Sequence, residues 1–536
     1  MIRKILFAVC SVVCGASVMA TTRFTSGNTT WSALGSVSTD TVYIRAAHTV
    51  TVDVNHSARS CAALVDSGTL LWQNGKRLNI GSVRVVGTVT MTSGDTLIVY
   101  NEDHLGADDI SIINSGRLTA IGTESAPVVF RGNTSNGTLP SVVANGGSAK
   151  VYLRKFDCRG FQGSWPSAGW TFNSTDAKNI RLRHGRFDSA SVALRLTGGH
   201  CLVGCRFTTY AGMNRAITLQ SSPGDSIIGC SIVHNALGGG NYAGAQGIYV
   251  WSDNTLIYGC RIKDSNFTGG WGGDYGIALE QNVGGTRLLA DTISGFEFTV
   301  ASPGGSHPNV RIQYCKIESG AHESVILHNG DTGWKVYGNT LTSFSSGGRS
   351  TVTVYCNQSG GADGLELLYN TIVSNHGGAP ASSAIAFENT AAGTITYDNI
   401  KMVGNLLIGD NSGFSRAEMV FGTTASQNVT VNFTEFKDNA FDSVYYFGSS
   451  GAIYPYNRLD SNLHNATSFV FVDSLGGDFR LGSGSPVKNA ADSAYGCLVY
   501  GDFRATTRPF NIGADQNFPN RWRYAKYSPT GLSDSA

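Results

Sequence analysis

The sequence has few charged residues and no long segment with helical periodicity. Asp, Glu, Lys and Arg make up 14% of its 536 residues, and the formal net charge is +1. There is no polybasic run, so no nucleic-acid partner is expected. After residue 20, no apolar run is long enough to span a bilayer. Glycine is abundant, with 67 residues, and the accompanying Ser, Thr, Asn and Val are typical of short strands and tight turns.

The first twenty residues have the pattern of a secretory signal peptide. Arg3 and Lys4 precede the apolar run of residues 5–19, and small residues lead to Ala20. This pattern predicts cleavage near Ala20 and a protein that is secreted, periplasmic or on the cell surface. The alternative is a lipoprotein signal at Cys14, although the two valines before this cysteine suit such processing poorly.

A local pattern recurs in ten segments of the chain. Each has an apolar residue three positions before, and another two positions after, an anchor residue. The anchors are Gly185, Cys205, Cys230, Cys260, Asp291, Cys315, Asn339, Asn370, Asn405 and Asn439. Their spacing varies from 20 to 35 residues, which indicates one coil per repeat with loops of different length. The pattern predicts an all-β fold, a single-stranded parallel β-helix whose stacked coils bury a continuous core.

The anchors themselves predict stacking from coil to coil. The four asparagines are expected to hydrogen-bond one another and the turn backbone. Cys205, Cys230 and Cys260 fill the same column, either as a stack of buried thiols or as a disulfide or metal site. Nine cysteines follow residue 20, so at least one cannot pair within the chain. Side chains that point in parallel do not favour a disulfide between adjacent coils.

The repeats resemble the pectin-lyase-like superfamily of right-handed parallel β-helices, of the secreted bacterial type. The segment "SGRLTAIGTESAPVVFRG" (Ser115–Gly132) is similar to an early coil of secreted members. The segments "GDFRLGSGSPVKNA" and "GDFRATTRPFNIGADQ" (Gly501–Gln516) are similar to the closing region of many bacterial members. The resemblance covers most of residues 80–516. It implies the architecture but not the activity, because this fold carries many chemistries. No specific catalytic family is matched.

Four regions are expected along the chain. Residues 1–20 form the signal peptide, and residues 21–130 form a β-rich N-terminal cap with the first coils. Residues 131–445 form the regular β-helix. Residues 446–536 form the closing coils, a C-terminal cap and a tail. A cap is expected at each end because the open end of a β-helix exposes unpaired backbone groups.

One strand of each coil alternates so that its middle residue points inward and its neighbours point outward. The resulting outward column reads Asn173, Arg195, Gln220, Trp251, Glu280, Ala301, His328, Tyr355 and Glu388. Hydrogen-bonding and aromatic groups about 4.8 Å apart suit the repeating units of a glycan. Gly-rich loops are expected to bring Trp271, Asp274 and Tyr275 towards this face. Arg195, Gln220, Trp251, Asp253, Glu388 and these three loop residues are therefore the candidate substrate-binding residues.

Glu280, His328 and Tyr355 are the candidate catalytic residues. A lyase needs a base, an acid and a group that neutralises a uronate, and His328 beside Tyr355 could supply the first two. A glycosidase needs two carboxyl groups about 5–9.5 Å apart, and Glu280 has no acidic neighbour in its column until Glu388. The sequence requires no cofactor. Asp253, Asp274 and Asp331 are candidate calcium ligands, although they match no spacing rule for calcium.

These observations predict a secreted protein that binds a polysaccharide along the outward face and cleaves it as a lyase or a hydrolase. Two alternatives belong to other functional classes: a noncatalytic, adhesin-like glycan-binding protein and a structural cell-surface solenoid. A convergent cluster of side chains with shifted pKa values would favour the enzyme.

Overall fold

The computed structural model describes residues 22–34, 41–56, 62–100, 110–132, 142–145, 148–159, 172–174, 180–189, 194–196, 199–209, 215–220, 223–234, 246–265, 273–280, 282–344, 350–357, 359–374, 383–389, 393–409, 419–422, 427–441, 444–446, 471–473 and 478–481. Several sequence predictions lie outside these residues: the signal peptide, Trp271, the cysteines Cys61 and Cys497, the segment Gly501–Gln516 and the C-terminal tail. The side chain of Arg195 also lies outside the description.

The chain divides into two compact units, residues 1–189 and 190–536. Both consist of short parallel strands arranged in three sheets, which we call the first, second and third sheets in the order in which a coil visits them. The helical structure found in the described ranges is one 3-10 turn, Ser32–Leu34. No helix within those ranges is long and apolar enough to cross a membrane.

The first unit contributes nineteen strands. The first sheet contains Thr22–Phe24, Thr41–Ile44, Ala62–Val65, Val83–Val85, Ile110–Ile113, Val142–Asn145 and Phe172–Ser174. The second sheet contains Thr29–Thr30, Thr49–Val52, Thr69–Trp72, Thr88–Met91, Arg117–Ile121, Lys150–Arg154 and Ile180–Arg183. The third sheet contains Arg77–Ile80, Thr96–Val99, Val128–Gly132, Phe156–Arg159 and Arg186–Ser189.

The second unit repeats this arrangement. The first sheet contains Leu194–Leu196, Arg215–Gln220, Gln246–Trp251, Tyr275–Glu280, Phe298–Gly304, Val325–Leu327, Val352–Cys356, Ile385–Asn389, Met419–Phe421 and Val444–Tyr446. The second contains Cys201–Val203, Ser226–Ile228, Leu256–Tyr258, Arg287–Leu289, Arg311–Gln313, Lys335–Tyr337, Glu366–Leu368, Gly393–Val403 and Gln427–Lys437. The third contains Arg206–Thr209, Ser231–His234, Arg261–Asp264, Thr292–Phe296, Lys316–Ser319, Thr340–Ser343, Thr371–Ser374 and Leu406–Ile408. Phe471–Asp473 and Asp478–Leu481 form a separate antiparallel pair.

Each strand of these sheets pairs in parallel with the equivalent strand of the next coil. In the third sheet, Ile232 lies beside Ile262, which lies beside Ile293 and then Ile317. The first sheet of the second unit contains ten such strands. The fold is therefore the right-handed parallel β-helix that the repeats and the superfamily resemblance predicted.

The predicted inward positions form the core. Ile257, Ile262, Leu279 and Ile317 each have 0% exposure. Ile262 lies two positions after the Cys260 anchor, where the repeat predicts a buried apolar residue. An apolar side chain at these positions contacts its counterparts in two neighbouring coils, so the interior is one continuous stack.

The asparagine anchors stack as predicted. The Nδ2 groups of Asn339, Asn370 and Asn405 donate to the Oδ1 atoms of the next asparagine at 3.0, 3.0 and 2.9 Å. Each Nδ2 also donates to a backbone carbonyl of the preceding coil, such as Ile312 O at 2.9 Å for Asn339. Each amide is thus paired although it is fully buried, which is the condition for placing a polar group in the core.

The residue before each anchor explains the sharp turn between the second and third sheets. All ten of these residues have a left-handed backbone conformation, with φ between 51° and 69°. They are His184, Gly204, Gly229, Gly259, Ala290, Tyr314, Gly338, Tyr369, Gly404 and Asp438. Glycine occupies half of the positions because it adopts this conformation without a steric cost.

The cysteine anchors form a stack of buried thiols. Cys158, Cys205, Cys230, Cys260, Cys315 and Cys356 are buried, and no described cysteine is in a disulfide. The Cys230 thiol interacts with the thiols of Cys205 and Cys260. Of the two alternatives for this column, the structure supports the buried thiols.

Asp291 is the one acidic anchor. Its Oδ1 accepts a hydrogen bond from Cys260 N at 2.7 Å and its Oδ2 accepts one from Leu289 N at 3.0 Å. Burial nevertheless raises the pKa of the carboxyl group to about 8. The anchor therefore carries a proton in the folded protein at neutral pH.

We expect Ile262→Ala to destabilise the second unit by about 2–5 kcal/mol, because the change leaves a cavity between two coils. Thermal unfolding followed by circular dichroism would measure the loss. Since each coil depends on its neighbours, limited proteolysis should first cut coils near residue 262. A variant that melts with the wild-type protein would contradict this assignment.

Asp291 makes the stability depend on pH. Its folded-state pKa lies above the unfolded value of 3.8, so folding takes up a proton between about pH 4 and 8, and stability is lost as pH rises through that window. Asp291→Asn should flatten this dependence, since an amide cannot titrate. The nitrogen of the new amide cannot accept the hydrogen bond from Leu289 N, but the resulting loss of stability does not depend on pH. Urea unfolding of both proteins at pH 5, 7 and 9 would compare the slopes, and equal slopes would exclude Asp291 as their source.

Candidate active site

The predicted outward column exists in two stretches of the first sheet in the second unit. Gln220 pairs with Trp251. In the next coil Val250 pairs with Leu279, so the residue that follows, Glu280, lies at the position equivalent to Trp251. These three outward side chains are partly buried. Three further outward residues, His328, Tyr355 and Glu388, form the second stretch, in which Tyr355 pairs with Glu388.

Two members of the predicted column belong to a different one. Arg195 pairs with Thr218 rather than with Gln220, and Ala301 pairs with Ala278 and Ile326. Both were misplaced by two residues, because a shift of two leaves the inward–outward alternation unchanged. The predicted alignment of Glu280 with Ala301 is also wrong. The register shifts between Ala278 and Glu280, and Glu280 pairs with Gly304.

Glu280 lies in a mixed polar and aromatic environment. It hydrogen-bonds the Tyr249 side chain and interacts electrostatically with Arg215 and His307. The Arg215 guanidinium lies 3.5 Å over the Tyr249 ring, and its Nε donates to Gln246 Oε1 at 2.7 Å. Burial raises the pKa of Glu280 above its usual value despite these interactions. This favours a protonated carboxyl group that can donate a proton.

His328 is shifted in the opposite direction. Burial lowers the pKa of its imidazole, the negative charge of Asp331 opposes that shift, and His307 adds to it. The ring is perpendicular to that of Tyr355, with centroids 5.5 Å apart. The backbone N–H of His328 donates to Asp331 Oδ2 at 2.6 Å. The neutral imidazole is therefore favoured and can accept a proton.

Sequence reasoning missed His307 and assigned Asp331 only as a candidate calcium ligand. The Nδ1 atom of His307 lies 2.7 Å from Asp331 Oδ1, and its backbone N–H donates to the same oxygen at 3.1 Å. The Ser302 hydroxyl donates to Asp331 Oδ2. The side chains of His307 and Asp331 have 0% exposure. Both residues lie in the turns that follow first-sheet strands, where strand alternation gives no signal.

A row of stacked rings next to the column was also missed. Tyr275, Phe298 and His322 stack with centroid distances of 5.4 and 5.3 Å. His322 Nε2 lies 3.3 Å from Glu297 Oε1. Glu297 Oε2 in turn accepts a hydrogen bond from Gly273 N at 2.6 Å.

Negative charge collects around this row. Burial raises the pKa of Tyr275, and the carboxylates of Glu297, Glu280, Asp274 and Glu323 raise it further. Asp274 is buried rather than projecting from a loop. Tyr275 and Phe298 are both partly buried, so the row reaches the surface through these two rings.

The remaining predicted residues have simpler surroundings. Trp251 packs edge-on against Tyr249, with ring centroids 6.3 Å apart. Asp253 is exposed, and its Oδ1 accepts a hydrogen bond from Gly284 N at 2.7 Å. Glu388 is 7% exposed. Trp251 thus belongs to the face that contains Glu280, whereas Asp253 closes the turn beyond it.

No group of three or more His, Cys, Asp or Glu side chains in the described ranges is arranged to hold a metal ion. Both carboxylate oxygens of Asp331 accept hydrogen bonds from protein groups, Oδ1 from His307 and Oδ2 from Ser302 and His328. These hydrogen bonds hold the Asp331 carboxylate in place at the turn.

No family model matches the chain, and no curated protein matches it. Among solved structures, the periplasmic alginate epimerase AlgG is similar over 74% of this chain and 77% of its own, with 8% identity and a TM-score of 0.30. The A-module of the Azotobacter vinelandii mannuronan C-5 epimerase AlgE4 is similar over 79% and 92%, with 10% identity and a TM-score of 0.25. The AlgE6 A-module of the same organism covers 81% and 92%, with 11% identity and a TM-score of 0.20. At these values the matches carry no argument about the chemistry of this chain, which has to come from its own side chains.

Proposed function

We propose that the protein is a secreted enzyme that binds a polysaccharide along the outward face of the first sheet and cleaves it by acid–base catalysis. Glu280 is the general acid and His328 is the general base. The observation that carries the proposal is the opposite shift of their pKa values, upward for Glu280 and downward for His328. These shifts bring the two pKa values closer together, and they enlarge the fraction of enzyme in which Glu280 is protonated and His328 is neutral, the states that an acid and a base need.

The face around this pair suits a sugar chain. Gln220, Trp251 and Glu280 stand on successive strands, about 4.8 Å apart, and His328, Tyr355 and Glu388 continue in the same direction. Aromatic rings pack on sugar faces through their apolar area, while amide and carboxyl groups bind hydroxyls. An ordinary solvated strand face typically lacks large aromatic residues, so their presence beside polar groups supports a sugar-binding role.

The separation of the two groups favours hydrolysis. One coil lies between the strand of Glu280 and that of His328, so these strands are about 10 Å apart along the solenoid. In inverting glycosidases two carboxyl groups about 6.5–9.5 Å apart leave room for a water molecule, and in this proposal His328 takes the place of the second carboxyl group at a similar separation. Glu280 donates its proton to the leaving glycosidic oxygen, and His328 takes a proton from the water that attacks the anomeric carbon.

Charge favours the same reaction over β-elimination. An elimination has to neutralise a uronate carboxylate, but the groups around Tyr275, besides the protonated Glu280, are the carboxylates of Asp274, Glu297 and Glu323. Arg215, the cation beside Glu280, is already engaged by Gln246 and the Tyr249 ring. This environment repels a uronate and accepts an uncharged glycan.

We expect Glu280→Gln and His328→Ala to lower turnover by about 10²–10⁴-fold with little change in glycan affinity, because acid–base groups act mainly in the transition state. Purified wild-type protein should be incubated with a panel of neutral and acidic polysaccharides. New reducing ends would report hydrolysis and unsaturated ends would report elimination. Glu366→Gln, on the second sheet, is the matched control. If Glu280→Gln turns over at the control rate, Glu280 is not the acid.

We expect Trp251→Ala to weaken glycan binding strongly while the fold stays intact, because the ring supplies apolar contact area on a partly exposed position. Affinity electrophoresis against the polysaccharides that the wild type binds would measure the change. Phe344→Ala is the control, since Phe344 is an exposed aromatic residue, 40% accessible, just beyond a third-sheet strand. Equal binding by both variants would place the binding face elsewhere and favour a structural solenoid.

A further inference from the structure

The turn between the first and second sheets has a buried position that recurs from coil to coil. In the second sheet, Leu256, Arg287, Arg311, Lys335, Glu366 and Lys401 pair in sequence. The residues four positions before them are Ser252, Val283, His307, Asp331, Ala362 and Tyr397, and all six are buried. Four of these coils fill the position with an uncharged side chain. His307 and Asp331 are therefore neighbours at a position where the fold does not require charge.

Stability does not account for this pair. Moving two ionisable groups out of water costs free energy that their mutual attraction often fails to recover, and apolar replacements of similar size are frequently neutral or stabilising. Val283 and Ala362 occupy the same position in the flanking coils and are 4% and 0% exposed, so an apolar pair would fit the architecture. The pair therefore points to a role in the site beside it.

The hydrogen bonds of the pair define its geometry. Asp331 binds His307 through Nδ1 and the backbone N–H, and it binds the backbone of His328 at 2.6 Å. One carboxylate thus fixes both the buried imidazole and the strand end that presents His328. The Nε2 atom of His307 is buried, and no described group hydrogen-bonds to it.

Resting on the proposed function, we propose that His307 and Asp331 form the positioning pair of the active site. Asp331 orients His307 and holds the backbone of His328, so that the pair fixes the position from which His328 accepts a proton. His307 is a positioning residue and not a catalytic one, because its side chain has 0% exposure and cannot touch a glycan.

The surrounding charges support this role. His307 interacts electrostatically with Glu280 and His328 and lowers the pKa of both, whereas Asp331 raises that of His328. The other groups that act on these residues are Arg215 and Tyr249 beside Glu280, Tyr355 against His328, and the Cys356 thiol near Asp331. His307→Gln removes the group that lowers the pKa values of Glu280 and His328, so both values should rise. Asp331→Asn removes a negative charge, so that of His328 should fall.

Histidine titration by NMR tests the pair without any substrate. In protein labelled with 15N-histidine, the His328 midpoint should move upward in His307→Gln and downward in Asp331→Asn, and His328→Gln assigns the signal. His322→Gln is the control, because His322 is another buried histidine beside a carboxylate, and it should leave the midpoint in place. A His328 midpoint that stays the same or moves downward in His307→Gln would overturn the proposal.

Activity provides the second readout. Both limbs of the pH–rate profile should move to higher pH in His307→Gln, whereas a merely structural residue would lower the rate without moving the limbs. If the wild type cleaves no glycan, the proposed function fails, and the NMR titration still decides the role of the pair.

A neutron structure of the wild type covers the case in which His307→Gln does not fold. It should show hydrogen on Nδ1 of His307, facing Asp331. Hydrogen on Nε2 alone would overturn the proposal, because the Asp331 carboxylate would then have no donor from that ring.

Discussion

Parallel pairing in register between successive coils is the interaction on which the rest of this structure depends. It places each inward side chain on its counterpart, as in the stack of Ile232, Ile262 and Ile293. A polar residue inside such a stack can be satisfied only by the next coil or by the turn backbone. Three asparagine anchors meet this condition, each with two hydrogen bonds from its Nδ2 group. One goes to the Oδ1 atom of the next asparagine and the other to a backbone carbonyl of the preceding coil. Asp291 also accepts two backbone hydrogen bonds, but burial raises its pKa, which makes one position of the ladder sensitive to pH.

The same register places the reacting groups. Because outward residues of successive coils stand about 4.8 Å apart, a side chain two coils away is at the distance that a water-mediated displacement needs. Glu280 and His328 are related in this way, and the intervening coil contributes the His307 turn. Burial raises the pKa of Glu280 and lowers that of His328, and the shared buried neighbour His307 lowers both. Geometry and protonation therefore have one origin, the stacking of three coils.

The fold was predictable because its core follows a repeating local pattern. The apolar columns, the asparagine ladder and the buried thiols depend on sequence positions that recur at fixed offsets, and each was found as expected. The outward column was predicted less well. Alternation cannot distinguish a strand from its copy shifted by two residues, so Arg195 and Ala301 were assigned to the wrong column. The His307–Asp331 pair could not be predicted at all, since it joins two turns whose contact depends on the register of whole coils.

Departures from regular pairing occur in the coil that separates Glu280 from His328. The register shifts between Ser294 and Phe296 in the third sheet and again opposite Glu280 in the first. A bulge adds a residue to one strand and redirects the side chains beyond it, and such features are common next to active sites. Here the extra residue lies before Gly304, so no side chain follows Glu280 at the equivalent position of the next coil. A regular coil would have presented another outward side chain at this position, between the acid and the base.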